Sequence, residues 1–339
     1  MNPRNVMSAV RMPYPGRKAG RGRLGARLVA LLAVALLAAL AACTPNESRS
    51  ASYAGDFPDP SVIRIGSVYY AFGTQAAGGH PAIQRLVSNN HESWVKPAVA
   101  DALVALPRWA DDSGTWAPDV VQAGLGYVMY YSVHEAGGRH CLSAAIATSP
   151  ANQFVDNSTK PLFCMPNGET IDPSSVVGPY NLHYLVWKGP DAKGVATLYA
   201  QRLAPSGLAF SGARVVLMKA HKTGWTSYNI EAPTMLFTQN RWLLFYSGGN
   251  YWSSGYAIGY ATCQGPLGPC TDRSASKPWV GSHGTARGPG GESFFTDPVG
   301  NIFMAYHAWG SKLGYDNGGI RSLWIDQVGV LNDVPLFGL

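Results

Sequence analysis

Charge is scarce in this chain: only 14% of its 339 residues are Asp, Glu, Lys or Arg. Helix surfaces draw heavily on Glu and Lys, so the shortage argues against a mainly helical protein. Sustained apolar recurrence at helical spacing is also missing after residue 45. No Gly-x-Ser-x-Gly nucleophile elbow occurs, which leaves serine hydrolase chemistry without support. Gly288-Pro-Gly-Gly-Glu292 is followed by neither Lys-Ser/Thr nor a helical pattern, so it is no phosphate cradle. His134 and His140 stand six residues apart around a Gly-Gly pair, where a helical zinc site needs four. That stretch reads as a loop. A basic footprint is lacking too. The net charge is +6, but residues 1–42 hold seven cations and no acid, and removing those seven leaves −1 for the remainder. No nucleic-acid partner is expected.

Cysteine is sparse, with five in all. Cys43 closes a run of fifteen apolar residues, Leu28 to Ala42, behind a cationic flank. Roughly 20 residues are needed to span a bilayer, so the run reads as a secretory signal rather than an uncleaved helix. Leu40-Ala-Ala-Cys43 resembles a bacterial lipobox, which implies a lipid on Cys43. The expected division is a lipoprotein signal peptide over 1–42, a polar tether over 43–52, and one domain over 53–339. The protein would be exported and held at the outer face of the cell membrane by the lipid alone. Four cysteines then remain, an even number in an oxidising compartment, which favours disulfides. Local pairing, Cys141 with Cys164 and Cys263 with Cys270, is expected. Zinc is the competing reading, but none of the four shows the close two-residue spacing.

What the chain has in quantity is glycine (39), proline (24) and aromatic residues (11%). Such a mixture suits short strands joined by tight turns. Alternating runs such as Val68-Tyr-Tyr-Ala-Phe and Tyr127-Val-Met-Tyr-Tyr say the same. Five segments open on an acid and repeat one pattern: a short apolar strand, a Gly or Asn turn, an aromatic strand. They begin at Asp59, Asp119, Asp172, Glu231 and Glu292, at intervals of 60, 53, 59 and 61 residues. A period of this length marks units that cannot bury their own faces. Four strands' worth of all-β chain per unit predicts a five-bladed β-propeller, with each first strand lining the axis. The leading acids would then gather at one end of the channel.

Phe57-Pro-Asp59-Pro-Ser, Ile171-Asp172-Pro-Ser and Ile230-Glu231-Ala-Pro resemble the three catalytic blocks of glycoside hydrolase family 43. Trp116-Ala-Pro-Asp119 and Ala305-Tyr-His-Ala-Trp309 match further blocks, in the same order. The resemblance covers about residues 53–333. It implies an O-glycosyl hydrolase in which Asp59 is the general base, Glu231 the general acid, and Asp172 the group that orients Glu231 and raises its pKa. Hydrolysis with inversion needs such a pair, with room for a water between them. A like charge beside an acid keeps it protonated, which gives Asp172 its role. As an isolated signal, Asp before Pro is a turn cap at a strand entry. Asp119 and Glu292 match no block role and read as structural. Trp116 is expected to stack on sugar, the alternative being a core Trp between blades.

The resemblance further implies plant cell-wall poly- or oligosaccharide as substrate, with arabinofuranosyl linkages cut exo-fashion. A β-xylosidase and a catalytically silent sugar-binding propeller are the alternatives. Family members often carry Gly-Pro-Gly-His, whose His supports a hydrated metal ion, often calcium. Gly291 stands at that place here, so whether an axial calcium binds stays open, and no cofactor is expected to be required. His307 is expected to pack between blades.

Overall fold

The alternating runs form strands throughout the computed structural model, which describes residues 50–339 apart from 78, 81 and 125. The proposed signal over 1–42, Cys43 and the tether up to residue 49 lie outside the described residues. β1 (Tyr53–Asp56) comes first. Blade one holds β2 (Ser61–Ile65), β3 (Val68–Gly73) and β4 (Gln84–Ser88), and blade two β5 (Ala110–Ala123), β6 (Gly126–Glu135) and β7 (His140–Ala147). Blade three holds β8 (Ile171–Val177), β9 (His183–Pro190), β10 (Ala196–Leu203) and β11 (Phe210–Lys219). Blade four holds β12 (Ile230–Thr238), β13 (Arg241–Gly248), β14 (Ala257–Cys263) and β15 (Cys270–Asp272). Blade five holds β16 (Arg287–Thr296), β17 (Ile302–Trp309), β18 (Arg321–Leu331) and β19 (Val334–Phe337).

Within each blade successive strands pair antiparallel, as a meander. The first strands touch in turn, β2 to β5, β5 to β8, β8 to β12, β12 to β16, and β16 back to β2. That closed ring is the five-bladed propeller. β1 pairs with β18, so the amino-terminal strand completes the last blade.

Five apolar clusters fill the five gaps between blades. Phe72 and Ile83 meet Met129 and Tyr131, and Val128 and Tyr130 meet Leu185 and Trp187. Val186 and Leu198 meet Leu244 and Tyr246, while Phe245 and Ile258 meet Met304 and Tyr306. Val62 and Leu86 meet Ala305 and Leu323 across the closure. Each blade thus buries its faces only against its neighbours, as the period requires.

Four regular strands per blade was too uniform an expectation. Blades one and two have three. Their outermost segments touch the sheet at isolated bridges, among them Val87 with Val95, Ile146 with Val155 and Leu142 with Phe163. Proline has no N–H to donate, and Pro97, Pro150 and Pro161 lie in those segments. The structure joins Cys141 to Cys164 and Cys263 to Cys270, each bridge within one blade. Glu135 lies near the first pair of sulfurs, but both are consumed by the disulfide.

Candidate active site

Within each first strand, or just before it in blade one, the backbone makes the same excursion. Asp59, Ala117, Asp172, Ala232 and Gly291 have φ of 51°, 46°, 57°, 48° and 61°. In blades two to five the ladder slips at this point, as a bulge does. Left-handed backbone at non-glycine residues costs on the order of 1–3 kcal/mol and clusters at functional sites. The bulge also turns one N–H out of the ladder in every blade. Asp59 N–H donates to His307 Nδ1 (3.1 Å), Ala117 N–H to Thr74 Oγ1 (3.0 Å) and Asp172 N–H to Ser132 Oγ (3.0 Å). Ala232 N–H donates to Asp172 Oδ2 (2.9 Å) and Gly291 N–H to Ser247 Oγ (2.9 Å).

This register corrects the alignment of the five acids. Asp59 and Asp172 occupy the bulge itself, Glu231 precedes it by one, Glu292 follows by one, and Asp119 follows by two. Their side chains therefore part company. Asp59, Asp172 and Glu231 line a cavity of about 390 Å³ together with Asp56, Thr74, Gln75, Trp116, Tyr251, Tyr256, Tyr315 and Arg321. Asp119 and Glu292 do not line it. They border a smaller axial cavity of about 40 Å³. Asp119 accepts from Ser61 Oγ (3.0 Å) and from Ser175 N–H (2.7 Å), tying three blades together as a structural acid. Glu292 accepts from Ser247 Oγ (2.8 Å), and burial pushes its carboxyl up to about 8.

Burial alone would raise Asp59, but Arg321 and Thr74 oppose it, and the carboxyl lies well below the usual range. Arg321 Nη1 stands 3.5 Å from Oδ1, and Thr74 Oγ1 donates to Oδ2 at 2.6 Å. His307 is wholly buried, as expected of a residue between blades, yet it touches Asp59 directly. Burial and then Arg321 lower its pKa, so the ring is neutral and its Nδ1 can accept.

Glu231 has a cation beside it as well as Asp172. Lys188 Nζ lies 2.7 Å from Glu231 Oε2, and Tyr256 Oη donates to Oε1 at 2.8 Å. Burial raises Glu231, but Lys188, Tyr256 and Asn229 together bring it below its ordinary value. Asp172 takes the upward shift instead. Burial and the Glu231 charge push it up to about 7.

Trp116 is half-buried, with one face stacked on His140 at 3.5 Å, and it lines the cavity. His140 is fixed in turn by Glu169 Oε2, 2.9 Å from Nδ1. His134 and His140 do flank a turn, as opposite members of the β6–β7 hairpin. Thr74, His140, Lys188, Tyr256 and Arg321 were not visible as site residues in the sequence. Each sits outside the acid-led blocks, on a neighbouring strand or loop.

The axial histidine that the resemblance would place at position 291 does not fit there. A Cβ at Gly291 would stand 2.6 Å from His307 Nδ1 and 2.7 Å from Asp59 Oδ1. No side chain has room there, and no step below passes through a metal.

The sequence profile of glycosyl hydrolases family 43 matches residues 51–333. The chain belongs to that family. Among curated relatives of this family 43 protein, arabinan endo-1,5-α-L-arabinosidase B of Emericella nidulans is 25% identical over 316 residues, covering 76% of this chain and 77% of that one. The extracellular endo-α-(1→5)-L-arabinanase 2 of Bacillus subtilis is 26% identical over 303 residues, covering 79% and 61%. Among solved structures, a thermostable family-43 glycoside hydrolase superposes with a TM-score of 0.72 at 22% identity, over 83% of this chain and 92% of that one. An α-L-arabinanase of Cellvibrio cellulosa complexed with arabinohexaose gives 0.66 at 20%, over 83% and 95%. These similarities carry the propeller fold.

Proposed function

We propose that this family 43 hydrolase cleaves arabinofuranosyl linkages of plant cell-wall polysaccharide, acting from chain ends and with inversion. The observation that carries the reading is the convergence of Asp59, Asp172 and Glu231 on one cavity edged by Trp116. Asp59, held ionised by Arg321, is the base that takes a proton from the attacking water. Glu231 is the acid that protonates the departing oxygen. Asp172 grips the N–H of Ala232 and so fixes the backbone beside Glu231. Trp116, braced by His140, offers its free face to a sugar ring. No cofactor enters the scheme.

Arabinofuranosyl specificity over xylosyl rests on the curated relatives, which are named for arabinan. End-on action rests on a cavity of about 390 Å³, near the small end for ligand pockets. The same relatives are named as endo-acting, which favours internal cleavage as the second reading. Export with a lipid on Cys43 completes the proposal, and the Bacillus relative is named extracellular. Mass spectrometry of membrane-fraction protein should find an acylated amino-terminal Cys43.

The chemistry is tested on linear arabinan and on an aryl arabinofuranoside with an acidic phenol. Asp59→Ala should slow both substrates by about 10²–10⁴. Glu231→Ala should spare the aryl substrate, whose leaving group needs little protonation, and fail on the polymer. Proton NMR should show the inverted anomer first, and arabinose rather than mixed oligomers should be released. Retained configuration, or an active Asp59→Ala variant, would overturn the assignment. Binding without turnover on every substrate would favour a silent sugar-binding propeller.

A further inference from the structure

The bulge N–H groups reveal a rule with one exception. In four blades, a polar residue at the end of the second strand reaches over and accepts the bulge N–H of the next blade. Thr74 serves Ala117, Ser132 serves Asp172, Ser247 serves Gly291 and His307 serves Asp59. In three of these the residue directly follows an aromatic: Tyr131-Ser132, Tyr246-Ser247 and Tyr306-His307. Blade three has Trp187-Lys188 at the same place. An ammonium has three donors and no acceptor, so it cannot take an N–H at all. Asp172 Oδ2 takes the N–H of Ala232 instead, and Lys188 turns to Glu231.

Stability does not explain the lysine. The Lys188 and Glu231 side chains are 18% and 14% exposed, so both charges have largely left water. Such a pair is often no more stable than neutral groups in its place. Serine, as in blades two and four, would be the simpler occupant.

We propose, resting on Glu231 as the acid, that Lys188 is its positioning residue: ammonium and Tyr256 hydroxyl clamp the two carboxyl oxygens and govern when Glu231 holds the proton for the leaving group. Both oxygens accept in this arrangement, at 2.7 and 2.8 Å, which favours the carboxylate. The ionisable and polar groups that act on Glu231 or on its two neighbours come from several elements. Asp172 stands on β8, Lys188 on β9, Asn229 before β12 and Tyr256 before β14. Asp59 and Glu292 act on the same charges from blades one and five, and Glu169 acts on Lys188. Lys188 is the one cation in that group; the rest are acids, a phenol and an amide. With it in place, Asp172 holds the proton more firmly than Glu231.

Lys188→Ser installs the residue of blades two and four, and Lys188→Arg keeps the charge and most of the volume. An opposite charge at this range lowers a carboxyl by about 1–3 pH units. On arabinan, the basic limb of the kcat/KM profile should therefore move up by about one unit or more in Lys188→Ser, and stay in Lys188→Arg. On the aryl substrate neither variant should move it. Carboxyl ¹³C titration of the free protein reads the same groups without any substrate, and should show Glu231 rising in Lys188→Ser. An unmoved Glu231 titration overturns the proposal whatever the activity. A raised Glu231 with no hydrolysis of any substrate keeps Lys188 as the clamp and sinks the proposed function instead.

Discussion

Glu292 carries its proton to about pH 8, because burial outweighs the hydrogen bond that Ser247 donates to it. An unfolded glutamate releases that proton near 4.5. Between these values the folded chain binds a proton that the unfolded chain does not, so stability falls as pH rises through the window. The slope from one such group reaches about 1.4 kcal/mol per pH unit. Glu292→Gln keeps the acceptor for Ser247 and removes the titration. Its melting temperature should match the parent near pH 4.5 and exceed it at pH 8, with Asp172 leaving a residual slope up to about 7. Equal slopes in both proteins would show that Glu292 is ionised in the fold. The same reasoning fixes the activity window. Asp59 stays ionised far into acid, while Lys188 and Tyr256 hold Glu231, the acid, below its ordinary value. Polymer hydrolysis should therefore peak on the acid side of neutrality; a peak above pH 8 would contradict the assigned pair. The three acids of the cavity were legible in the sequence because Asp-Pro and Glu-Ala-Pro mark the bulge. Lys188 and Arg321 were not, because a strand's own pattern says nothing about which neighbouring blade its polar end will meet.

Among elements, first and second strands were the legible ones. Their alternation is driven by two buried faces, and the turns between them carry residues that accept left-handed backbone, such as Gly66 and Gln239-Asn240. The outermost segments of blades one and two have one free edge and several prolines, so neither burial nor pairing imposes a strand pattern on them. In blade two the missing ladder is replaced in part by the Cys141–Cys164 bridge, which closes a span of 23 residues. Closing a loop of that size restricts the unfolded chain by about 3 kcal/mol. Replacing both cysteines with alanine should lower the melting temperature by roughly 5 °C or more. Cys141 directly follows His140, whose ring braces Trp116, so KM for arabinan should rise while the aryl rate changes little. An unchanged melting temperature would mean that the segment is held by the sheet and the Phe163 contact alone.

The whole ring closes through a strand drawn from the opposite end of the chain. β1 completes blade five by pairing with β18, Tyr53 opposite Leu323 and Asp56 opposite Ser322. In the proposed mature protein the tether of residues 43–52 leads straight into this strand. The closure also reaches the chemistry. Arg321 N–H donates to Asp56 Oδ1 (2.8 Å), Phe57 N–H donates to Arg321 O (2.8 Å), and the same arginine's guanidinium faces Asp59. Its ring partners, Tyr251 at 4.9 Å and Tyr315 at 5.6 Å, hold it from the cavity side. Removing β1 would therefore bare the edge of β18, an aggregation hazard, and free the backbone that aims Arg321. A protein beginning at Ser50 should match the full mature chain in melting temperature and activity. One beginning at Pro58 should melt at least 10 °C lower or aggregate, since the buried Phe57 is lost as well, at about 1.5–3 kcal/mol for such a side chain. Asp56→Ala separates the two effects. It leaves the strand pairing in place and loosens only the grip on Arg321, so its melting temperature should fall little. Its activity on both polymer and aryl substrate should drop together, because the base is what Arg321 supports. Full activity in Asp56→Ala would show that the tyrosines alone aim the guanidinium and that closure serves stability only.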